Sequence, residues 1–362
     1  GSGSIAAMPE VLTDVPLAPM TTLRLGGRAD RLVRADSADR LVELVRAADA
    51  EGEPLLVLAG GSNLVIADAG FRGTVVQVAS RGISERVTED GLVELTVQAG
   101  EPWDGLVALA VDRDLAGIEC LSGIPGSTGA TPIQNVGAYG QEVSSTISSV
   151  TVLERSSGEV RTMTAADCDF AYRSSRFKGS GEFVVLEVGF LLNPSPESEP
   201  VAYSQLAEAL GIDPGSRAPL AAVRETVLDL RRSKSMVIDP DDPDSVSAGS
   251  FFTNPVLEPD EMAMVERRAG ELLGPDSTPP AWATDDGRLK TSAAWLIEQS
   301  GFSRGYGEGP VGLSGSHTLA LVNRGGATTA ELVAFAREVA DGVRVTFGVQ
   351  LVPEPVFVGH SW

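Results

Sequence analysis

A run of 19 residues without a charged side chain, SGIPGSTGATPIQNVGAYG at 122–140, constrains this fold most, because 22% of the whole chain is charged. A second neutral segment, LAGGSNL at 58–64, directly follows a predicted buried strand, PLLVLAG. Glycine lets a ligand approach the backbone closely, and successive N–H groups in such loops can bind an anion. Either loop alone is also explained as a tight structural turn. The two together favour a bound diphosphate, with the amides of Asn63, Gln134 and Asn135 available to read a flat ring.

Other nucleotide and metal motifs are missing from the sequence. There is no GxxxxGK[ST] segment, and GIPGSTG at 123–129 does not have the GxGxxG spacing that opens a Rossmann helix. No HExxH motif or His/Cys cluster indicates zinc, and Cys120 and Cys168 form neither a CxxC pair nor a disulfide framework. We therefore expect no metal.

The secondary-structure pattern mixes helices and strands. Residues 20–60 predict a β-α-β unit. Residues 21–35 alternate well enough for strands, and the helix that follows begins at Asp36 or Ser37 and ends at Gly52. An acidic loop that is broken by prolines, at 239–249, is a plausible domain boundary. The last predicted helix starts with a Thr328/Glu331 capping box. Further strands are predicted at 64–66, 74–79, 83–88, 92–98, 183–192 and 311–323, and further helices at 103–115, 203–210, 218–232, 258–273 and 291–299.

Length and charge limit the classes of function. A chain of 362 residues predicts two or three domains, and a formal net charge of −22 makes nucleic acid and anionic membranes poor partners. No apolar run reaches the roughly 20 residues that span a bilayer. The opening GSGSIAAMPE has no signal-peptide pattern, and residues 1–7 are interpreted as a cloning remnant. We expect a reduced, cytoplasmic protein.

The segment SAGSFFTNP at 247–255 presents Ser250 between a glycine and two phenylalanines. Such a serine suggests catalysis, yet the chain has only two histidines, His317 and His360, to activate a nucleophile. By itself, Ser250 is also explained as a turn or N-cap residue.

Seven segments together resemble the UDP-N-acetylenolpyruvoylglucosamine reductase family, and they occur in the family's order from about residue 20 to residue 359. They are TTLRLGG, AGGSNLV, IPGSTGATPIQNVGAYG, FAYRSSRFK, AGSFFTNP, AAWLIEQSGF and FGVQLVPEPVFVG. Each segment alone is a weak signal, whereas the ordered set is highly specific.

The resemblance implies an α+β protein with a two-subdomain FAD-binding fold of the vanillyl-alcohol-oxidase type and a C-terminal α+β substrate domain. The expected subdomains are 1–85 and 86–235, the latter with the tail 346–362, and the substrate domain is 236–345. FAD is the implied cofactor. The positions that match the family's FAD contacts are Gly60, Gly61, Ser62, Asn63, Leu64, Gly123, Ile124, Pro125, Gly126, Gly129, Thr131, Asn135 and Gly137.

The resemblance also implies the reaction and its residues. NADPH supplies a hydride by way of FAD, and the enolpyruvyl ether of a UDP-sugar is reduced as part of peptidoglycan precursor synthesis. Arg173 in AYRSS and Glu354 in VPEPV match the residues that stabilise charge on the substrate carboxylate, and Ser250 matches the proton donor. A proton-donating serine needs no histidine base.

The UDP-sugar contacts of the family match Tyr203, Lys234, Asn254 and, with a weaker indication, Lys290. The only lysines of the chain are Lys178 in FAYRSSRFK, Lys234 in RRSKS and Lys290 in RLKTSAAWLIEQ, and all three lie in segments that match the family. NADPH and the UDP-sugar are expected to use one cleft in turn, because each must place its reacting carbon against the flavin.

Two other classes of function fit the sequence less well. A nucleotide-sugar-binding regulator on a degenerate version of the same fold would keep the loops but take up no FAD, and the intact Ser250, Arg173 and Glu354 argue against it. A serine hydrolase fails on the missing GxSxG and on the scarcity of histidine.

Overall fold

The computed structural model describes residues 10–362, and its contacts divide them into two compact units. The first unit comprises the described residues up to Pro16, Arg28–Gly61 and Phe71–Arg232. The second comprises Leu17–Gly27, Ser62–Gly70 and Ser233–Trp362. Residues 1–7 lie outside the described part of the chain. The three-domain division expected from the sequence stays a prediction.

Over the described residues, the first unit contains two large sheets and a two-stranded sheet in which Gly137–Ala138 pairs with Gln141–Glu142. One has the strand order Val11–Pro16, Arg28–Ala35, Phe71–Val78 and Leu55–Leu58, antiparallel at the first pair and parallel at the others. The predicted β-α-β unit is therefore confirmed, with another strand inserted between its two strands. The second sheet is antiparallel, and its strand order is Glu159–Thr164, Ile147–Glu154, Phe183–Pro194, Val93–Gln98 and Ile83–Val87. The short strand Leu115–Ala116 pairs with the end of the central strand, Phe183–Pro194.

The two large sheets of the first unit bury side chains in one hydrophobic core. The helix Ala38–Glu51 begins where the Ser37 side chain accepts from the Arg40 N–H, and it ends at left-handed Gly52. Its Leu41 and Val45 are completely buried in that core. Full burial of such a side chain stabilises the fold by about 1.5–3 kcal/mol. The predicted caps of this helix are confirmed.

The second unit contains three small sheets. A three-stranded antiparallel sheet has the order Ser247–Ser250, Ala320–Asn323 and Val311–Leu313, and another has the order Val256–Leu257, Leu289–Thr291 and Ala281–Ala283. In the third, Leu64–Ile66 pairs in parallel with Val356–Val358.

The predicted Thr328/Glu331 capping box is present at the start of the last helix, Thr329–Phe347. The α-helices of the described chain are Ala38–Glu51, Trp103–Asp112, Ser204–Leu210, Leu220–Arg232, Pro259–Leu273, Ala293–Gln299 and Thr329–Phe347.

The strand predicted to start near residue 21 is wrong in its first part, because residues 21–27 form a turn. The Thr21 hydroxyl accepts from the Leu25 N–H at 3.3 Å, and Arg24 and Gly26 have positive φ angles of 51° and 120°. These local bonds compete with strand pairing.

Over the described residues, no helix is both long enough and apolar enough to cross a bilayer.

Candidate active site

The two neutral glycine loops lie against each other within the first unit. A Cβ atom on Gly60 would stand only 2.6 Å from the Cα of Gly126, so a side chain at position 60 would collide with backbone. Gly61 and Gly126 have φ angles of 59° and 114°, which L-residues rarely adopt. We call residues 60–61 and 123–129 the glycine cradle.

Backbone hydrogen bonds fix the longer loop of the glycine cradle. The Trp103 N–H donates to the Gly126 carbonyl at 3.0 Å, the Thr128 N–H to Glu101 at 2.8 Å, and the Gly129 N–H to Ala99 at 2.9 Å. A Cβ on Gly129 would lie 2.5 Å from the Cβ of Ala99, so this contact also requires glycine. The loop is thus held by main-chain atoms, close to where the helix Trp103–Asp112 begins.

An ion pair anchors the first residue of the loop. Asp104 Oδ1 accepts from the Gly123 N–H at 2.6 Å, and the Arg224 guanidinium donates to the two oxygens of Asp104 at 2.7 and 2.9 Å. Burial works to raise the pKa of Asp104, but the Arg224 hydrogen bonds and the Gly123 N–H outweigh it, so the pKa is lowered. The carboxylate stays ionised at neutral pH. No pattern in the sequence indicated this long-range pair.

One buried group of the glycine cradle is unsatisfied. The Ser127 hydroxyl is buried and has no hydrogen-bond partner among the residues that the structure describes. A buried polar group without a partner costs about 1–3 kcal/mol. A bound polar group would remove that cost, so the cradle fits an anionic, polar cofactor such as FAD. Sequence reasoning missed Ser127, although it lies inside the neutral run.

The remaining predicted FAD positions are distributed over both units. Asn135 is buried, and its side-chain amide donates to Glu142 and Ala171 and accepts from the Ser144 N–H, so this amide is engaged within the protein. The Thr131 hydroxyl donates to the Thr128 carbonyl at 2.8 Å. Ile124 and Pro125 are half-buried in the cradle loop, and Ser62, Asn63 and Leu64 belong to the second unit. Their contacts with FAD stay predictions.

Arg173 is fixed against the end of the long neutral loop. Its guanidinium donates to the Gly137 carbonyl at 2.6 Å, and it lies over the Tyr172 ring at 5.3 Å. A Cβ on Gly137 would be 2.8 Å from the guanidinium, so glycine makes room for it. Arg173 has a φ of 51°, and the Lys178 ammonium donates to its carbonyl at 2.8 Å. This bond gives Lys178 a structural role that the sequence left open.

Ser250 and Glu354 lie on two hydrogen-bonded segments of the second unit. The Glu354 N–H donates to the Phe251 carbonyl at 2.8 Å, and the Thr253 N–H donates to Val352 at 3.1 Å. We call these paired segments, residues 250–253 and 352–354, the Ser250–Glu354 ladder. On its other side, Asn63 Nδ2 donates to the Glu354 carbonyl at 3.4 Å, and the Val356 N–H donates to the Asn63 carbonyl at 2.9 Å. Arg173 belongs to the first unit, so its meeting these residues stays a prediction.

Aromatic rings pack beside the Ser250–Glu354 ladder. Phe251 and Phe252 are buried and contact each other at 5.2 Å between ring centroids, and Trp362 lies 5.9 Å from Phe252 and from Phe357. His360 stacks edge-on with Phe357 and lies 3.2 Å from the Val65 carbonyl. The rings fix the backbone on both sides of the ladder, and they give His360 a structural role.

The predicted UDP-sugar residues are also divided between the units. Tyr203 precedes the helix Ser204–Leu210, is 44% exposed and contacts Tyr139 edge-on at 5.6 Å in the first unit. Lys234, Asn254 and Lys290 belong to the second unit. Asn254 Oδ1 accepts from the Ala293 N–H at 3.0 Å, while Lys290 lies in the strand Leu289–Thr291. Their contacts with substrate stay predictions.

Comparisons with known proteins agree with this geometry. The model of the C-terminal domain of UDP-N-acetylenolpyruvoylglucosamine reductase matches residues 241–358, and a FAD binding domain model matches residues 29–164. The chain is 57% identical to that reductase from Thermobifida fusca over 346 residues, which cover 96% of this chain and 97% of the relative. It is also 57% identical to the Streptomyces avermitilis reductase over 350 residues, 96% of this chain and 95% of the relative.

The solved structures add a fold match over almost the whole chain. The crystal structure of the reductase from Thermus caldophilus has a TM-score of 0.64 and 22% identity, covering 97% of this chain and 99% of that one. The α+β fold, the glycine cradle and the matching FAD binding domain define a FAD-binding protein. The full-length similarity is more specific still. The chain belongs to the UDP-N-acetylenolpyruvoylglucosamine reductase family, so the resemblance inferred from the seven segments is confirmed.

Proposed function

We propose that the protein is a UDP-N-acetylmuramate dehydrogenase, which uses FAD and NADPH to reduce the enolpyruvyl ether of UDP-N-acetylglucosamine enolpyruvate in peptidoglycan precursor synthesis. The observation that carries the proposal is the Ser250–Glu354 ladder, in which a serine and a glutamate lie on two hydrogen-bonded segments. The same ladder is hydrogen-bonded to Asn63, which follows the glycines at 60–61 in the chain. Full-length identity to named reductases supports the assignment.

The glycine cradle and the Ser127 hydroxyl would hold the diphosphate part of FAD. When bound, FAD supplies the hydride, received from NADPH, that the methylene carbon of the enolpyruvyl group accepts. Asp104 and Arg224 keep the first residue of the cradle loop in place. They do not need to touch the cofactor to matter for its binding.

Ser250 completes the reduction by giving a proton to the carbon that bears the ether oxygen. Hydride addition at the methylene carbon leaves negative charge on that neighbouring carbon and on the conjugated carboxylate. Arg173 would stabilise the carboxylate with its cation, and Glu354, in its protonated form, would donate a hydrogen bond to it. One hydride and one proton thus add across the double bond, and the Ser250 alkoxide regains its proton from water.

NADPH and the UDP-sugar would occupy one cleft in turn. Each must bring a reacting carbon to the same face of the flavin, so we expect ping-pong kinetics and inhibition by excess UDP-sugar. Tyr203, Lys234, Asn254 and Lys290 would bind the UDP-sugar. The formal net charge of −22 disfavours nucleic acid and anionic membranes as partners and is compatible with a cytoplasmic enzyme.

The test separates the two half-reactions in anaerobic stopped flow. NADPH should bleach the purified yellow protein, and the enolpyruvyl sugar should then restore its colour, with solvent deuterium entering at the carbon bearing the ether oxygen. A colourless protein that binds UDP-sugar but takes up no FAD would instead indicate a nucleotide-sugar-binding regulator. Labelling of Ser250 by an acyl-fluoride-type serine probe would indicate a hydrolase.

A further inference from the structure

His317 lies in the loop between the strands Val311–Leu313 and Ala320–Asn323 of the second unit. The Ala320 N–H donates to the His317 carbonyl at 3.1 Å, which closes a tight turn. The residue is half-buried, and within the described chain its ring nitrogens have no hydrogen-bond partner. A half-buried imidazole with this open hydrogen-bonding capacity is available to a ligand.

One side of this loop is tied to the segment that carries Lys234. The Ser235 and Ser316 hydroxyls are 3.0 Å apart, so neighbours of Lys234 and His317 are hydrogen-bonded. Asp244 strengthens the connection, because its Oδ2 accepts from the Ser314 hydroxyl at 2.9 Å and from the Gly315 N–H at 2.6 Å. The acidic loop predicted as a domain boundary thereby holds the His317 loop in position.

The other side of the loop is tied to Ser250. The Phe251 N–H donates to the Leu319 carbonyl at 2.7 Å, and Ser250 pairs with Ala320 across the sheet. His317 therefore lies on a short loop that is bonded at one end to the Lys234 segment and at the other end to the Ser250 strand. In the proposed function these residues bind opposite parts of one substrate, the diphosphate and the enolpyruvyl group.

The surroundings keep the imidazole neutral. Burial, followed by the positive charges of Lys234 and Arg304, lowers the pKa of His317 to about 4. Two carboxylates contact this loop: Glu298 accepts from the Thr318 hydroxyl at 3.2 Å and lies 3.9 Å from Arg304, and Asp244 accepts from Ser314 and Gly315. A neutral imidazole offers one donor and one acceptor, which suits an uncharged polar group better than a phosphate.

We propose that His317 is a substrate-binding residue that hydrogen-bonds the hexosamine of the UDP-sugar, at a hydroxyl or the acetamido group. The proposal rests on the proposed function, because it takes the diphosphate to be at Lys234 and the enolpyruvyl group at Ser250. In the UDP-sugar the hexosamine connects these two parts, as the His317 loop connects the two protein segments. Lys234 supplies the charge for the diphosphate, and His317 supplies the neutral contact.

The test compares two ligands that differ only in the sugar. Dissociation constants of UDP and of UDP-N-acetylglucosamine are measured by calorimetry on the FAD-loaded parent, His317→Ala, His317→Gln and Lys234→Ala proteins. His317→Ala should weaken UDP-N-acetylglucosamine on the order of tenfold and leave UDP unchanged, because roughly 1–1.5 kcal/mol of hydrogen bonding is lost. His317→Gln should recover part of the loss, since an amide keeps a donor and an acceptor.

Lys234→Ala is the matched control, because it should weaken both ligands by the same factor. The inference would be overturned if His317→Ala left the ratio of the UDP and UDP-N-acetylglucosamine dissociation constants at its parent value. That outcome includes an equal loss of affinity for both ligands. The ratio of flavin to protein absorbance should stay at the parent value in both His317 variants, which shows that their FAD site is intact. If the parent protein is bleached but the enolpyruvyl sugar does not reoxidise it, the proposed function itself fails, and this inference fails with it.

Discussion

The glycine cradle of the first unit and the Ser250–Glu354 ladder of the second are built in opposite ways. The cradle depends on glycines, which have no side chain, since a Cβ on Gly60 would stand 2.6 Å from the backbone of Gly126. The ladder is ordinary strand-like pairing, and its chemistry lies in two side chains placed on it. A substitution should therefore act sterically in the cradle and chemically on the ladder. Binding of FAD and turnover of substrate should be separable by mutation.

The largest separable effect is expected at Ser250. Ser250→Ala should still be bleached by NADPH, but its reoxidation by the enolpyruvyl sugar should slow by on the order of 10²–10⁴, because a positioned proton transfer is lost. Stopped-flow absorbance of each half-reaction measures this. Ser250→Cys should keep part of the rate, since a thiol can also donate.

Ser247→Ala is the matched control, because the Ser247 hydroxyl lies on the same strand and accepts from the Gly249 N–H at 3.2 Å. It should leave reoxidation near the parent rate. If Ser250→Ala reoxidised as fast as Ser247→Ala, Ser250 would not be the proton donor.

Substitutions in the glycine cradle should prevent FAD binding, whereas Ser250→Ala should slow reoxidation of bound FAD. Gly60→Val or Gly126→Val should yield protein with little or no FAD, because backbone blocks a side chain at position 60 and position 126 has a φ of 114°. The ratio of flavin to protein absorbance after purification measures occupancy. Gly105→Ala is the control, since its Cβ would make only an ordinary contact at 3.7 Å with Pro102. Full occupancy in both valine variants would contradict the role of the cradle.

A smaller effect, with a pH signature, is expected at Asp104. Asp104→Asn should weaken FAD binding several-fold at pH 7, because the Gly123 N–H and Arg224 lose a charged acceptor. The pKa of Asp104 is lower in the folded protein than in the unfolded chain. The ionised carboxylate therefore stabilises the loop at every pH above the ordinary pKa of about 3.9. This stabilisation is lost as the pH falls through the pKa of the folded protein. The difference between parent and variant, followed as flavin release by fluorescence, should narrow below about pH 4. A constant difference at every pH would show that the charge is irrelevant.

The smallest effect concerns stability around His317. Because its folded pKa is about 4 and its ordinary value is 6.5, the unfolded chain takes up a proton that the folded chain resists. The parent should lose stability between about pH 6.5 and pH 4, relative to His317→Gln, as measured by thermal melting. Identical pH profiles for the two proteins would show that His317 is not held neutral by the fold.

The local parts of the fold could be predicted from the sequence. Ser37, Gly52 and the Thr328/Glu331 capping box set helix ends through neighbours in the chain, and glycine in a neutral run marked the cradle. The strand Val11–Pro16 was missed, because an exposed edge strand carries little hydrophobic pattern.

The connections of the candidate site could not be predicted from the sequence. The family segments pointed to Ser250, Arg173 and Glu354, whose roles stay predictions, whereas the bonds around them join distant residues, such as Asn63 and Glu354. Ser127 and the Asp104–Arg224 pair gave no local signal, because their roles depend on burial and on contacts across the unit. Single-sequence patterns report periodicity and turn chemistry, and they do not report which distant segments pair.

The parallel pairing of Leu64–Ile66 with Val356–Val358 has a consequence for biosynthesis. During translation, the segment around Asn63 leaves the ribosome long before its partner strand has been made. Closing so long a loop is slow compared with local folding, since contacts of high sequence separation form late. The nascent chain therefore passes through a stage in which helices and hairpins are in place while Glu354 has no position. Reductase activity should appear abruptly with the last strand, and a ribosome stalled before residue 356 should hold an inactive chain.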